Sequence, residues 1–237
     1  MDKIENEKME LSTRAENYLK NLRWKESIKD EEKILKAFEK EGLTPTEELI
    51  RFQMKYGGLT VGAGLEPMVY GILHIDKRSP GETCELDYHE RENTIYYQCA
   101  DTLYQMNFDL ISNGNYCEDY CILSRSFDTQ IEDWSMWAEI KKENYKLIYQ
   151  HFPFPTYEMG TQDFEDRFNA CIKEFKNVKI IDGWWDDILR WYSIGDDYIA
   201  RKGFTGVFTY GIYILSKNTV SKDEEKYFLD IFEKMQQ

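Results

Sequence analysis

The chain has 237 residues, 42% of them hydrophobic and 15% aromatic, and a formal net charge of −14. With 17 Tyr, 13 Phe and 6 Trp it has the material for one large or two small packed cores, which excludes a disordered chain. The negative charge argues against binding nucleic acid or an anionic membrane surface and favours encounter with a basic partner.

The first twenty residues are charged and helix-forming, without the apolar core of a signal peptide. The longest apolar stretches, 68–75 and 207–215, are strand-sized and far short of a membrane span. Five cysteines, Cys84, Cys99, Cys117, Cys121 and Cys171, are an odd set at irregular spacing. Reduced structural thiols fit that count better than a disulfide framework, so a cytoplasmic protein is expected. The charge is regional: residues 61–140 carry 15 acidic and 4 basic side chains, a net of −11.

Residues 5–22 read as a helix, with Leu11, Ala15, Tyr18, Leu19 and Leu22 near helical spacing. A second helix is expected over 28–40, with Gly42 as its stop. In 43–58, Thr44 has the chemistry of an N-cap, Pro45 suits the first helical position and Glu47 completes a capping box. Leu49, Phe52 and Tyr56 share a face, and Gly57-Gly58 offers positive φ to end the helix before an extended segment at 59–61. Strands are expected at 68–75, 94–99, 102–109 and 120–123, with 94–109 a hairpin turning at Ala100-Asp101. A long helix over 129–150 ends at Pro153 and Pro155, where a boundary is expected. Helices over 164–175 and 183–192, a hairpin of 198–201 with 206–215, and a helix over 223–235 complete the chain.

These elements predict an α+β fold: N-terminal helices, a mostly antiparallel twisted sheet with a packing helix, and an α+β C-terminal extension. The expected divisions are an N-terminal helix at 1–27, a central domain at 28–152 and an extension at 153–237.

The segment running from Leu43 through Pro45, Leu49 and Phe52 to Gly57-Gly58 resembles the signature of the SUKH superfamily, the fold of many bacterial toxin-immunity proteins and of a fungal cell-wall regulator. Ser124-Arg125-Ser126-Phe127 before a helix is similar to that family's closing element, so the resemblance covers about 28–150. It implies a binding protein that neutralises a co-encoded polymorphic toxin, a basic nuclease being one kind, with the motif residues serving as scaffold. The alternatives are an intracellular scaffold or regulatory interaction module and a metal-dependent hydrolase.

A protein that masks a phosphate-binding face needs carboxylates with aromatic anchors beside them. The dense acidic set Glu82, Glu85, Asp87, Glu90, Glu92, Asp101, Asp109, Glu118 and Asp119 is the candidate surface, and each member taken singly reads as a solvated turn or strand residue. Trp184 and Trp185 form a second candidate, because neighbours on a helix point about 100° apart and one would face outward. The histidines are His74, His89 and His151. None forms a helical His-x-x-x-His pair or has a cysteine at ligand spacing, so no catalytic residue, metal or cofactor is expected.

Overall fold

The computed structural model describes residues 10–63, 66–76, 83–102, 106–155, 162–204 and 209–233. In chain order the elements are α1 (Thr13–Lys20), β1 (Arg23–Trp24), α2 (Glu31–Lys40), α3 (Glu47–Tyr56), β2 (Leu59–Ala63), β3 (Glu66–Tyr70), β4 (Leu73–Asp76) and β5 (Thr83–Leu86). There follow β6 (Tyr88–Arg91), β7 (Thr94–Gln98), β8 (Ala100–Asp101), β9 (Phe108–Ile111), β10 (Tyr116–Glu118), β11 (Cys121–Ser124) and α4 (Phe127–Lys142). The chain continues through β12 (Tyr145–Pro155), α5 (Gln162–Lys173), β13 (Val178–Ile180), β14 (Arg190–Ile194), β15 (Tyr198–Phe204), β16 (Thr209–Lys217) and α6 (Lys222–Glu233). The fold is α+β, with every strand pairing antiparallel. By contact it divides into residues 19–127 and a second unit made of 1–18 with 128–237. Among the described residues no helix is long and apolar enough to cross a membrane.

Unit 19–127 holds three sheets rather than the single one expected: β1-β2-β3-β8, β11-β10-β9-β7-β6 and the two-stranded β4-β5. The expected strand 68–75 is broken at Gly71 (φ +149), which separates β3 from β4. Ala100-Asp101 is not a turn: it forms β8 and pairs with β3. The hairpin β6–β7 pairs β7, within the strand expected at 94–99, with β6, a Tyr-His-Glu-Arg run that has no apolar signature. Its turn residues, Glu92 (φ 52) and Asn93 (φ 63), are both left-handed, as a two-residue hairpin requires.

Helix α3 starts two residues later than the capping chemistry suggests. Thr46 is its N-cap, and its hydroxyl donates to the Ser112 carbonyl at 2.5 Å rather than capping the helix. The two glycines at its end act differently. Gly58 has φ +83, while Gly57 has φ −52 and is needed because a Cβ there would lie 2.5 Å from the Gln53 carbonyl. The core centres on Phe127, whose ring lies 4.9 Å from Phe52, 4.8 Å from Tyr56, 4.9 Å from Tyr70 and 5.3 Å from Tyr116.

Gln53 is fully buried and ties α3 to the strands. Its Oε1 accepts from Ile72 N (2.7 Å) and Leu73 N (3.1 Å), and its Nε2 donates to Ile28 O at 3.0 Å. Gln53→Leu keeps the volume and orphans those backbone groups. It is expected to lower stability by about 2–3 kcal/mol, read as a fall in the urea midpoint.

The other unit is a three-layer arrangement around the sheet β12-β16-β15-β14-β13. On one face Met136 and Ile140 of α4 bury against Leu189, Trp191, Ile199 and Leu215. On the other, Phe168 of α5 meets Tyr192, and Phe228 of α6 stacks on Tyr198 at 3.9 Å. The helix expected over 129–150 ends at Lys142, and residues from Tyr145 form β12. Pro153 and Pro155 lie inside that strand rather than at a boundary, as an edge strand with a register irregularity between His151 and Phe154 allows. Residues 183–189 are a loop and 190–192 the start of β14, rather than a helix.

Candidate functional site

The expected acidic residues do not form one patch. Glu85 on β5, Asp87, Glu90 on β6 and Glu92 in the turn are exposed and follow one another along a short run of chain. β6 is the edge strand of its sheet, and Tyr88, 37% exposed, stands beside these carboxylates. Asp101 is also exposed but belongs to β8 in another sheet. Glu82 lies outside the described residues.

Two members of the set are committed to local structure. Asp119 sits in a left-handed turn (φ 44), and its Oδ1 accepts from Asn107 N at 2.9 Å. Glu118 is half-buried, and its Oε1 accepts from the Tyr116 hydroxyl at 3.1 Å. Burial raises the Glu118 carboxyl to about 7; the Tyr116 hydrogen bond opposes this and the Asp119 charge adds to it.

Asp109 is not a surface residue. It is fully buried on β9 beside His89 of β6, with 3.9 Å between Asp109 Oδ2 and His89 Nε2. Neither carboxylate oxygen has a hydrogen-bond partner among the described residues. Burial, with a smaller contribution from the Asp119 charge, lifts this carboxyl to about 7. His89 stacks on Tyr96 at 5.3 Å, Tyr120 meets both rings edge-on, and the Arg91 guanidinium lies 4.5 Å over Tyr120. Cys117 lies across from Asp109 in the β9–β10 register, and burial raises its thiol to about 12, so it is no nucleophile.

Carboxyls titrating near neutrality, and the ion-paired Glu132 and Asp133 of α4, make the field of residues 61–140 weaker than the formal count. What remains outward in the described part is concentrated on β5, β6 and the turn after them.

Trp184 and Trp185 belong to the other unit and stand in a loop, so the helical argument for them does not apply. Trp185 is structural: its indole N–H donates to Ile181 O at 2.6 Å, and the Arg14 guanidinium lies 5.8 Å over its ring. Trp184 is 37% exposed.

A cavity of about 280 Å³ was not foreseen; its walls include Lys25, Glu26, Ser27, Tyr70, His74 and Asp101. His74 stands on β4, whose last residue is Asp76; the Asp76 side chain lies outside the described residues. Among the described residues no three acidic, histidine or cysteine side chains gather as a metal-binding group. Compared with protein-family models, curated proteins and solved structures, the chain gives no match.

Proposed function

We propose that this chain is a cytosolic immunity protein that binds and neutralises a basic toxin domain through the exposed carboxylates of β5, β6 and the turn between β6 and β7. The observation that carries the reading is the run of exposed carboxylates from Glu85 on β5 through Asp87 and Glu90 on the edge strand β6 to Glu92 in the turn after it, with Tyr88 beside them. Carboxylates so placed suit a phosphate-binding face, Arg91 pairing with Glu92 at 3.7 Å among them, and the tyrosine offers an amphipathic anchor. The resemblance of the Leu43–Gly58 segment to the SUKH signature supports the same reading.

The test is the toxin domain encoded beside this gene, purified and titrated with the protein at about 0.05 M and about 0.5 M salt. Binding should weaken at the higher salt, chiefly through the on-rate. The Glu90→Lys/Glu92→Lys variant should lose roughly 10-fold or more in affinity while keeping its fold, because both residues are exposed. Salt-independent binding unaffected by that variant would sink the acidic interface, and an adjacent toxin that does not bind would sink the immunity reading.

A further inference from the structure

We infer that the outer edge of β6 receives an extended, basic segment of the partner as an added strand, bonded through the backbone to Tyr88 and Glu90. The inference rests on the proposed function for the partner and on the hydrogen bonding of the β6–β7 hairpin for the edge.

The hairpin fixes which backbone groups point outward. Arg91 stands opposite Thr94 across the two-residue turn Glu92-Asn93, and in such a turn the flanking pair exchanges both backbone hydrogen bonds. Bonded and non-bonded pairs alternate along an antiparallel ladder, so the next bonded pairs are His89 with Tyr96 and Asp87 with Gln98. The Gln98 N–H donates to the Asp87 carbonyl at 2.9 Å, as this phase requires. The N–H and C=O of His89 and Arg91 therefore face β7, and those of Tyr88 and Glu90 face away from it.

On that side β6 ends its sheet, and both residues are exposed. Among the described residues no backbone hydrogen bond from another segment reaches either of them. A donor and an acceptor repeated two residues apart along an open edge are what an incoming strand pairs with.

The side chains select the occupant. Glu85, Asp87, Glu90 and Glu92 are exposed along this stretch. Arg91 is the one lysine or arginine in residues 85–92, and it lies 3.7 Å from Glu92. A second copy of the chain pairing edge to edge would set carboxylate against carboxylate and is repelled. A strand bearing lysine or arginine places opposite charge across the new ladder. The same carboxylates thus close the edge to the chain itself and open it to a basic segment.

The probe is the peptide acetyl-Lys-Val-Lys-Val-Lys-Val-amide, titrated at low salt into the isotope-labelled full chain while backbone amides are followed by NMR. Saturable shifts at the Tyr88 and Glu90 amides are expected, with slower hydrogen exchange at both. The His89 and Arg91 amides, already bonded to β7, should change little in exchange. The analogue with glutamate in place of lysine should not bind. Glu90→Ala removes a carboxylate and should weaken peptide binding about 3-fold. Glu90→Pro removes the outward N–H as well, at a kind of position where an edge strand tolerates proline, and should lose roughly a further 5-fold. Unchanged protection of the His89 and Arg91 amides shows that the hairpin survives the substitution.

Equal affinities for the alanine and proline variants, or an absence of slowed exchange at Tyr88 and Glu90 at saturating peptide, overturns the added strand. If proline disrupts the hairpin, the exchange measurement on the parent decides by itself. Equal binding of the glutamate peptide overturns the charge selection, and no binding of the lysine peptide overturns the inference outright. An adjacent toxin that binds without slowing exchange at Tyr88 and Glu90 removes the added strand and leaves the immunity reading. Peptide pairing without toxin binding leaves the edge standing and removes the immunity reading.

Discussion

Asp133→Ala is expected to destabilise the unit formed by residues 1–18 and 128–237 by about 3–5 kcal/mol, the cost of breaking a buried ion pair from one side. Asp133 and Arg201 are both almost fully buried. Arg201 Nε reaches Asp133 Oδ1 at 2.7 Å, and its Nη2 reaches Oδ2 at 2.9 Å, a bidentate fork. The same Oδ1 accepts from the Trp191 indole at 2.7 Å, and Arg201 Nη1 donates to Phe204 O at 2.6 Å. The rings of Trp137, Trp191 and Tyr213 each lie 5.9 Å from the guanidinium carbon. Alanine would strand a cation and an indole N–H among aromatic rings. The loss should appear in urea denaturation followed by tryptophan fluorescence. Asp133→Ala/Arg201→Met should lose less than the sum of the two single changes, since the second change removes the stranded charge. Strict additivity would show that the pair contributes nothing as a pair.

The second large effect is on pH. The Asp109 carboxyl ionises near 3.8 when unfolded and near 7 in the folded protein. Below 3.8 both states hold the proton; between the two values only the folded state does. Each pH unit across that window therefore removes about 1.4 kcal/mol of stability, and the loss is complete once the folded carboxyl has ionised. The expected total from this group is on the order of 4–5 kcal/mol. Glu118, raised to about 7 as well, acts in the same direction. Asp109→Asn removes the Asp109 share, so urea midpoints measured at about pH 4.5, 6 and 8 should fall less steeply than in the parent, and the variant should be the more stable at about pH 8. Parallel curves for the two proteins would show that Asp109 ionises without cost where it stands.

How much of this was legible in the sequence follows from local chemistry. The hairpin β15–β16 could be read because Tyr210, Ile212 and Ile214 alternate and are all buried. α3 and its glycine end could be read because helical spacing and the Gly-Gly pair agree. β6 could not, since Tyr-His-Glu-Arg on an edge strand has no apolar period to detect. β12 was hidden by prolines that an edge strand tolerates and a helix does not. In the candidate site, exposure of Glu85, Asp87, Glu90 and Glu92 matched the expectation for charged turn and edge residues. The burial of Asp109 was invisible: in Phe108-Asp109-Leu110 its position alternates outward, and only long-range pairing places His89 beside it. The cavity was equally invisible, because its walls come from β1's flank, β3, β4 and β8, which no local pattern joins.

The division of the chain at residues 18 and 127 fixes an order of events during synthesis. The unit 19–127 is complete once Phe127 has left the ribosome, whereas Ser12 and Arg14 must wait for Glu132, whose carboxylate takes both the Ser12 hydroxyl at 2.7 Å and the Arg14 guanidinium at 2.8 Å. At translation rates of about 5–20 residues per second the delay is roughly 6–25 s. The inserted unit is complete only for the last five residues of that delay, and throughout it Ser12 and Arg14 remain without the Glu132 carboxylate. A ribosome stalled with Phe127 just clear of its exit tunnel would therefore display one complete unit, and a fragment beginning at Asp128 would lack the cation that Glu132 holds.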